Sequence, residues 1–409
     1  MEIVVRILLD GAHALLILAE IALLVPLLYL AVLSVAALLA AWHMRRAVAP
    51  AVPSLLPPRF ALLIPAHDEA PVIAGAVAST RAVDYPADRR DIFVVADNCT
   101  DETAALAREA GARVYTRTDD QNRAKGYALG WLLDQLEAGG LRYDAYVVID
   151  ADTRLSTNFM TRMAAALASG AQVAQAQYRV LNGDEAWTAG IRAVAFALFN
   201  HVRPLGRSWF GWSAGLKGNG MCFSRAVIER FGWGSYSLTE DVEYHVRLIE
   251  AGIAVVYVPD ATIAAEMPVT LAQARSQQAR WERGRLELTR DYVLPLVRGF
   301  LRTGDAARLD AAMEILLPPL SLMIGAVSLC LVAAGVLRWG PGLALGLALV
   351  ALLALHGIIG AALAHLSARA YLSLLRAPFF VVWKCWVYLA ALFGRASGTW
   401  IRTQRAGSK

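Results

Sequence analysis

Cysteine is scarce in this chain. The four present, Cys99, Cys222, Cys330 and Cys385, show no paired spacing and no metal-type CxxC. That excludes a disulfide framework and indicates a reduced compartment. No HExxH string occurs, so His67 and His245 read as ordinary polar contacts rather than zinc ligands. No glycine string has the order of a phosphate-binding P-loop; Gly218-Asn219-Gly220 is glycine-rich but lacks it. No basic run is interleaved with aromatics, so the net charge of +5 is not assigned to nucleic acid. Arg45 and Arg46 follow the first apolar core instead of preceding it, which favours a signal anchor over a cleaved signal peptide.

Apolar residues, by contrast, are abundant: 57% of 409 residues, with a mean hydropathy of +0.46. They concentrate at both ends and leave a water-compatible middle long enough to bury a core. Residues 14–41 are ample to span a bilayer, with Glu20 facing a protein partner or lying near the interface. Residues 315–337 and 342–363 read as a hairpin of two further spans, with Pro318-Pro319 kinking or starting the first. Residues 371–393 contain Arg376, Pro378 and Lys384 and read as an interfacial helix, which keeps the basic tail Arg395, Arg402, Arg405 and Lys409 cytoplasmic. The arginines beside these segments suit anionic headgroups. The expected divisions are an anchor at 1–46, a cytoplasmic water-compatible domain at 59–268, interfacial helices at 269–310, a transmembrane hairpin at 311–365, and an interfacial or third spanning helix with its tail at 366–409.

Between the apolar ends, short strands at 61–64, 92–96, 113–115, 146–149 and 173–178 alternate with helices at 103–109 and 127–137. This predicts a mostly parallel α/β sheet, whose ligands bind beyond the C-terminal strand ends. Polar clusters stand at those ends: Pro65-Ala66-His67-Asp68-Glu69, Asp97 to Asp101, and Asp150-Ala151-Asp152. A single such cluster is more often a turn or helix cap, but three on successive strands point to a nucleotide site. Asp150 and Asp152 offer oxygen to a divalent cation that bridges a diphosphate. Lys125, before a helix, reads either as an exposed basic loop or as cationic support for a nucleotide. Ser237-Leu238-Thr239-Glu240-Asp241 opens another helix; Ser237 with Glu240 resembles a capping box, and the functional alternative makes Asp241 a general base. Gly220 reads as a wall near an acceptor. Trp209, Phe210 and Trp212 read equally as acceptor contacts or interface anchors.

Downstream, Gln277, Arg280, Trp281 and Gly284 share one helix face. A buried stripe at that spacing should be apolar; this one carries an amide, a guanidinium suited to diphosphate, and an indole suited to a sugar face. With the clusters above, in this order, the chain resembles glycosyltransferase family 2. The resemblance runs from about residue 59 to 300 and is to the membrane-integrated branch of cellulose, hyaluronan, chitin and poly-N-acetylglucosamine synthases. It implies a GT-A fold (Rossmann-like, mostly parallel), a nucleotide-sugar donor, usually a UDP-sugar, Mn2+ or Mg2+, and inversion at the anomeric carbon. It also implies roles. Pro65, Ala66, His67, Asp68, Glu69 and Asp97 hold the uridine. Lys125, Asp150, Gln277, Gln278 and Arg280 line the rest of the donor site, and Asp150 and Asp152 bind the metal. Asp241, within Thr239-Glu240-Asp241, is the base, and Trp281 and Gly220 contact the acceptor. A polysaccharide or a lipid in the inner membrane is the expected acceptor, and the oligomeric state is not encoded. The competing readings are a catalytically silent scaffold of a polysaccharide synthesis and export complex, and a membrane-anchored nucleotide-binding module.

Overall fold

The computed structural model describes residues 2–46, 57–237 and 239–393. The tail residues Arg395, Arg402, Arg405 and Lys409, and Leu238 before the Thr239-Glu240-Asp241 string, lie outside the described residues. The chain opens with α1 (Glu2–Arg46), one 45-residue helix that begins well before residue 14. Pro26 is accommodated inside it. Leu27, Leu30 and Leu33 are buried, whereas Leu18, Val25 and Val32 on other faces are exposed. Exposed aliphatics along a helix of this length are what a bilayer solvates.

The catalytic-size domain that follows is built on eight strands: β1 (Phe60–Ala66), β2 (Arg90–Asp97), β3 (Arg113–Arg117), β4 (Ala145–Val148), β5 (Arg154–Leu155), β6 (Val173–Val180), β7 (Met221–Ser224) and β8 (Val255–Ala265). Their order in the sheet is β3-β2-β1-β4-β7-β6-β8-β5. Four of the seven pairings are parallel (β1 with β2 and β4, β2 with β3, β6 with β8), and β7 runs antiparallel to both its neighbours. All seven residues of β1 are buried, as a central strand covered on both faces requires. Ala61 and Leu63 pack into one apolar layer, and Phe60, Leu62 and Ile64 into the other. The layers are supplied by α2 (Ala70–Arg81), α3 (Thr103–Glu109), α4 (Lys125–Ala138) and α5 (Phe159–Ala168), then by α6 (Trp187–Ala197), α7 (Arg203–Trp209), α8 (Arg225–Phe231) and α9 (Glu240–Glu250). A five-residue π turn, Leu198–Val202, joins α6 to α7 without a break.

α10 (Leu271–Thr303) is a 33-residue helix, closed at its start by a capping box between Thr270 and Gln273 and stopped by the left-handed Gly304. α11 (Ala306–Leu316) turns back onto it. α12 (Leu320–Val336) follows after a bend of 72° at Pro318-Pro319. The expected span at 315–337 is therefore broken, because Pro318 restricts Leu317 and neither proline can donate to a helix. α13 (Gly340–Ala364), α14 (Ala368–Leu372) and α15 (Ala377–Phe393) complete the described chain. Three helical stretches, Ile3–Arg46, Gly340–Ala364 and Ala368–Tyr388, are long and apolar enough to cross a membrane, and the bent pair makes a fourth if counted as one. The segment expected to lie along the interface at 371–393 thus largely coincides with a stretch able to span. Glu20 is fully buried; a Cβ on Gly346 of α13 would lie 3.4 Å from its Oε1, so it faces neighbouring helices rather than the interface. Ser34 of α1 and His356 Nδ1 of α13 are 2.6 Å apart.

The sheet domain is fastened to α1 through α7. At Gly206 the two backbones touch, and any Cβ there would collide with the carbonyl of Leu33. The next residue, Arg207, is 1% exposed, with Nε 2.9 Å from Asp310 Oδ2, Nη2 2.8 Å from the Tyr29 hydroxyl, and a further ion pair to Glu314. Lys217 Nζ reaches the other oxygen of Glu314 at 2.9 Å. Two cations thus meet two carboxylates without excess charge. Replacing Arg207 with Met leaves Asp310 buried and uncompensated and should cost about 3–5 kcal/mol. Thermal unfolding of the purified full chain in detergent should show this, and Arg207→Met with Asp310→Leu should recover most of the loss.

Candidate functional site

The parallel register sets the site. Ala66 of β1 pairs with Ala96 of β2, and Leu63 with Val148 of β4, so the chain leaves all three strands at one edge of the sheet. His67, Asp97 and Asp150 stand there. Asp97 is 1% exposed and accepts from Arg117 Nη1 at 2.6 Å and from Asn98 Nδ2 at 3.2 Å. Burial pushes its carboxyl up and Arg117 only partly draws it back. Arg117 also holds Asp119 at 2.7 Å. His67 Nδ1 is 2.8 Å from the Asp97 carbonyl, which ties the ends of β1 and β2 together as a plain polar contact.

The Pro65–Glu69 and Asp97–Asp101 segments are braided. Pro65 and Ala66 are buried in β1, Asp68 and Asn98 have positive φ, Thr100 N–H donates to Asp68 Oδ1 at 2.7 Å, and Glu69 N–H donates to Thr103 Oγ1 at 2.8 Å. Asp68, Cys99 and Asp101 converge closely enough to hold an ion. Their oxygens are nevertheless engaged by loop N–H groups, and burial pushes the Cys99 thiol up to about 11, so the cluster reads as loop scaffold.

At the end of β4 the decisive side chain is Lys125, the first residue of α4. Its Nζ is 2.6 Å from Asp150 Oδ1, 3.7 Å from Glu240 Oε1, and bonded to the carbonyl of Gly218. Burial acts to lower this ammonium, but Asp150, Glu240 and Asp241 outweigh it and hold it above the ordinary lysine range. It is a bridge between motifs rather than an exposed basic loop. Burial pushes Glu240 up to about 7 and raises Asp241, with Lys125 opposing both. Asn219 Oδ1 accepts from Asp150 N–H at 3.1 Å, and its Nδ2 donates to Thr153 Oγ1 at 2.9 Å, which locks the Asp150-Ala151-Asp152 turn. Asp152 is half-buried one residue beyond.

The expected capping box at Ser237 does not form. Thr239 is the N-cap of α9, without a side-chain cap bond, and Ser237 N–H donates to Glu243 at 3.2 Å instead. This frees Glu240 and Asp241 to face the cluster. Gly218, with φ +72°, closes against Asp241, where a Cβ would lie 3.3 Å from Oδ2. Gly220 is buried in the sheet; its N–H bonds Val148 and its carbonyl takes Ala176 N–H, and a Cβ would press on Ile263 and Ala176. Its glycine is explained by packing, not by an open acceptor wall.

The α10 face divides in two. Gly284 packs on Thr239, where a Cβ would lie 2.5 Å from the Thr239 methyl. Arg280 is half-buried and feels Glu240 and Asp150, while burial lowers it. Gln277 Oε1 is buried and finds no hydrogen bond among the described residues. Trp281 lies 6.3 Å from the Phe196 ring, whose edge meets Tyr178 at 5.3 Å. Gln278, however, turns to α15, where Lys384 bonds it and reaches Glu282 at 2.8 Å. Trp209 and Phe210 abut α1 in an open apolar groove, which favours the anchor reading. Arg117, Asn219 and Lys217 were not found from sequence; only Arg117, a cation at a strand end opposite an acid, carried a usable signal.

A family model described as glycosyltransferase-like family 2 matches residues 57–284. Glucomannan 4-beta-mannosyltransferase 2 of Arabidopsis thaliana is 27% identical over 248 residues, 58% of this chain and 46% of that protein. Beta-monoglucosyldiacylglycerol synthase of Synechocystis sp. is 27% identical over 244 residues, 58% of this chain and 49% of that protein. The chain spans about half the length of these curated relatives. Among solved structures, the mannosyltransferase PcManGT from Pyrobaculum calidifontis, in complex with GDP-Man and Mn2+, aligns at a TM-score of 0.55 and 17% identity, over 94% of this chain and 99% of that one. The likeness is one of fold, a GT-A-like mixed sheet with flanking helices.

The contact of Gly284 with Thr239 allows a direct test. Gly284→Val should lift α10 off α9 by about an ångström and cut sugar transfer about 100-fold, with little change in far-UV circular dichroism.

Proposed function

Since the chain belongs to glycosyltransferase-like family 2 and is a glycosyltransferase, we propose that it is an inverting, metal-dependent membrane enzyme that moves a sugar from a nucleotide-sugar to a membrane-associated lipid or polysaccharide. The observation that carries this reading is the Lys125 bridge, which gathers Asp150, Glu240 and Gly218 within reach of Asp241 and Arg280. A donor end, a charge-neutralising centre and a base stand side by side.

In this reading the Pro65–Glu69 turn and Asp97, backed by Arg117, hold the nucleoside. Asp150 and Asp152 fit a hard divalent cation: both give carboxylate oxygen at a strand end, and the Asp150 side chain stays 35% exposed beside Lys125. When bound, Mn2+ or Mg2+ neutralises charge on the diphosphate. Lys125 and Arg280 add fixed positive charge where the leaving group departs. Asp241 takes the proton of the acceptor hydroxyl as that oxygen attacks the anomeric carbon. The bond to the diphosphate breaks, its electron pair leaves with the diphosphate, and attack from the opposite face inverts the centre. The raised Asp241 carboxyl is matched to accepting a proton. The UDP-sugar of the resemblance now shares the donor panel with GDP-mannose, because mannosyltransferases stand among the relatives and the PcManGT complex contains GDP-Man. The apolar helices support a reaction at a membrane surface, and Arg45 and Arg46 in the last turn of α1 support a reading with the sheet domain on the cytoplasmic side of an inner membrane.

Asp241→Asn should reduce transfer by roughly 100- to 10,000-fold while leaving nucleotide affinity in titration calorimetry nearly intact. Loss of nucleotide affinity moves Asp241 out of the base role. Asp152→Ala should remove the Mn2+-dependent part of nucleotide binding, and unchanged metal dependence rejects the ligand assignment. Release of neither UDP nor GDP from any sugar donor by the purified chain favours the silent scaffold.

A further inference from the structure

α7 buries a cation that has no counter-charge. Arg203 is 6% exposed, its Nε meets no acceptor, and no carboxylate pairs with it among the described residues. Nearby cations differ: Arg207 is matched by Asp310 and Glu314, Lys217 by Glu314, and Arg285 by Glu282. An isolated buried guanidinium is strongly unfavourable unless an anion completes it.

The ring beside it is partly exposed. Arg203 lies 5.2 Å from the centre of the Phe199 ring, and Lys217 Nζ lies 3.9 Å from the same centre. Phe199 itself is 38% exposed, although both cations are closed off. This Arg203–Phe199–Lys217 group adjoins the Lys125 cluster, because Lys217 precedes the Gly218 that packs on Asp241; burial, Arg207 and Arg203 push the Lys217 ammonium well down, and Asp241 and Asp310 draw it back up. The group also lies against the membrane helices: on the same short helix Gly206 touches α1 at Leu33 and Arg207 bonds Tyr29. Between α1 and the end of α7, Leu28, Val32, Val35, Trp209 and Phe210 line an open apolar groove of 390 Å³.

We infer that the phosphodiester of an anionic lipid acceptor, whose head group also carries a free hydroxyl, enters over the partly exposed Phe199 ring, with Arg203 holding the phosphodiester and the hydroxyl presented to Asp241. The inference rests on the glycosyltransferase reading and deepens it to an acceptor class. Guanidinium is the side chain suited to fork onto phosphate oxygens. The separation of roles matters. A phosphate that was itself the nucleophile would need no base, whereas here the unpaired cation and the carboxylate are different residues with Lys217 between them in electrostatic reach. The hydroxyl oxygen bonds to the anomeric carbon, its proton passes to Asp241, and the nucleoside diphosphate leaves with the bonding pair; the phosphodiester is unchanged. An acyl chain of the same lipid occupies the groove beside α7.

The test uses the full chain in phosphatidylcholine nanodiscs with its best nucleotide-sugar donor. Phosphatidylinositol or phosphatidylglycerol (phosphodiester plus hydroxyl) is compared with diacylglycerol (hydroxyl alone), and with diacylglycerol plus inorganic phosphate. Wild type should glycosylate a phosphodiester lipid in preference to diacylglycerol. Arg203→Met should lower that preference about tenfold or more, the worth of one charge-assisted pair, and Arg203→Lys should restore part of it. Equal use of diacylglycerol, restoration of its use by inorganic phosphate, use of soluble glycerophosphoinositol as readily as of the lipid, or an unchanged preference in Arg203→Met overturns the inference while leaving the glycosyltransferase reading intact. No nucleotide release by wild type with any acceptor overturns the parent reading instead.

Discussion

One ammonium organises the active edge of this protein. Lys125 starts α4, yet its side chain ends among groups from three distant parts of the chain: Asp150 after β4, Gly218 before β7 and Glu240 at the start of α9. Three buried or half-buried carboxylates, Asp150, Glu240 and Asp241, could not share this volume without it, because like charges at such range each oppose the ionisation of the others. The raised carboxyls of Glu240 and Asp241 record the residual cost. The geometry of the proposed base and donor centre is therefore a consequence of one charge balance, and the helix that supplies it is itself pressed in: a Cβ on Gly126 would collide with the backbone of Ser235, just before the Thr239-Glu240-Asp241 string.

A second constraint acts through backbone approach. Gly206 sets α7 on α1, Gly360 sets α13 on the π turn at Leu198, and Gly284 sets α10 on Thr239. At each point an added Cβ meets atoms of the facing element, so the apolar helices and the sheet domain are joined where side chains have been removed. The Arg207 network crosses the same junction, linking Tyr29 of α1, Asp310 and Glu314 of α11, and Lys217, the neighbour of the Gly218 that packs on Asp241. Glu314 of α11 thus holds the same Lys217 whose charge acts on Asp241.

The sequence carried most of the parallel half of this fold and little of the rest. β1, β2 and β4 contain continuous apolar runs, β3 and β6 carry apolar residues interrupted by polar ones, and each was read within a few residues of its observed bounds. β5 has two residues, β7 follows a glycine-rich string that reads as a loop, and β8 is interrupted at Pro259-Asp260, where its pairing with β6 shifts register. Periodicity cannot signal elements this short or broken. The acids at strand ends were visible because strand and turn chemistry are local. The Lys125 bridge, the Arg117 clamp and the Lys217 link were not, because each joins residues separated by at least 20 positions through tertiary packing. The α10 motif shows both cases: helical spacing foretold the face shared by Arg280 and Gly284, but Gln278 lies on the neighbouring stripe with Glu282 and belongs to Lys384.

The contrast between matched and unmatched buried charge separates structure from function at the membrane junction. Arg207, Lys217, Asp310 and Glu314 neutralise one another, and the Tyr29 hydroxyl takes the remaining hydrogen bond. Such a closed set explains itself by satisfying its own members. Lys384, Gln278 and Glu282 form another closed set between α10 and α15. Arg203 stands between these sets and joins neither, over an aromatic ring open to its surroundings. Among the described residues Arg207, Lys217, Arg285 and Lys384 each meet a carboxylate, whereas Arg203 and, on α6, Arg192 do not; Arg203 is the one of these two on the helix that touches α1, and that position is why the inferred acceptor site is placed there.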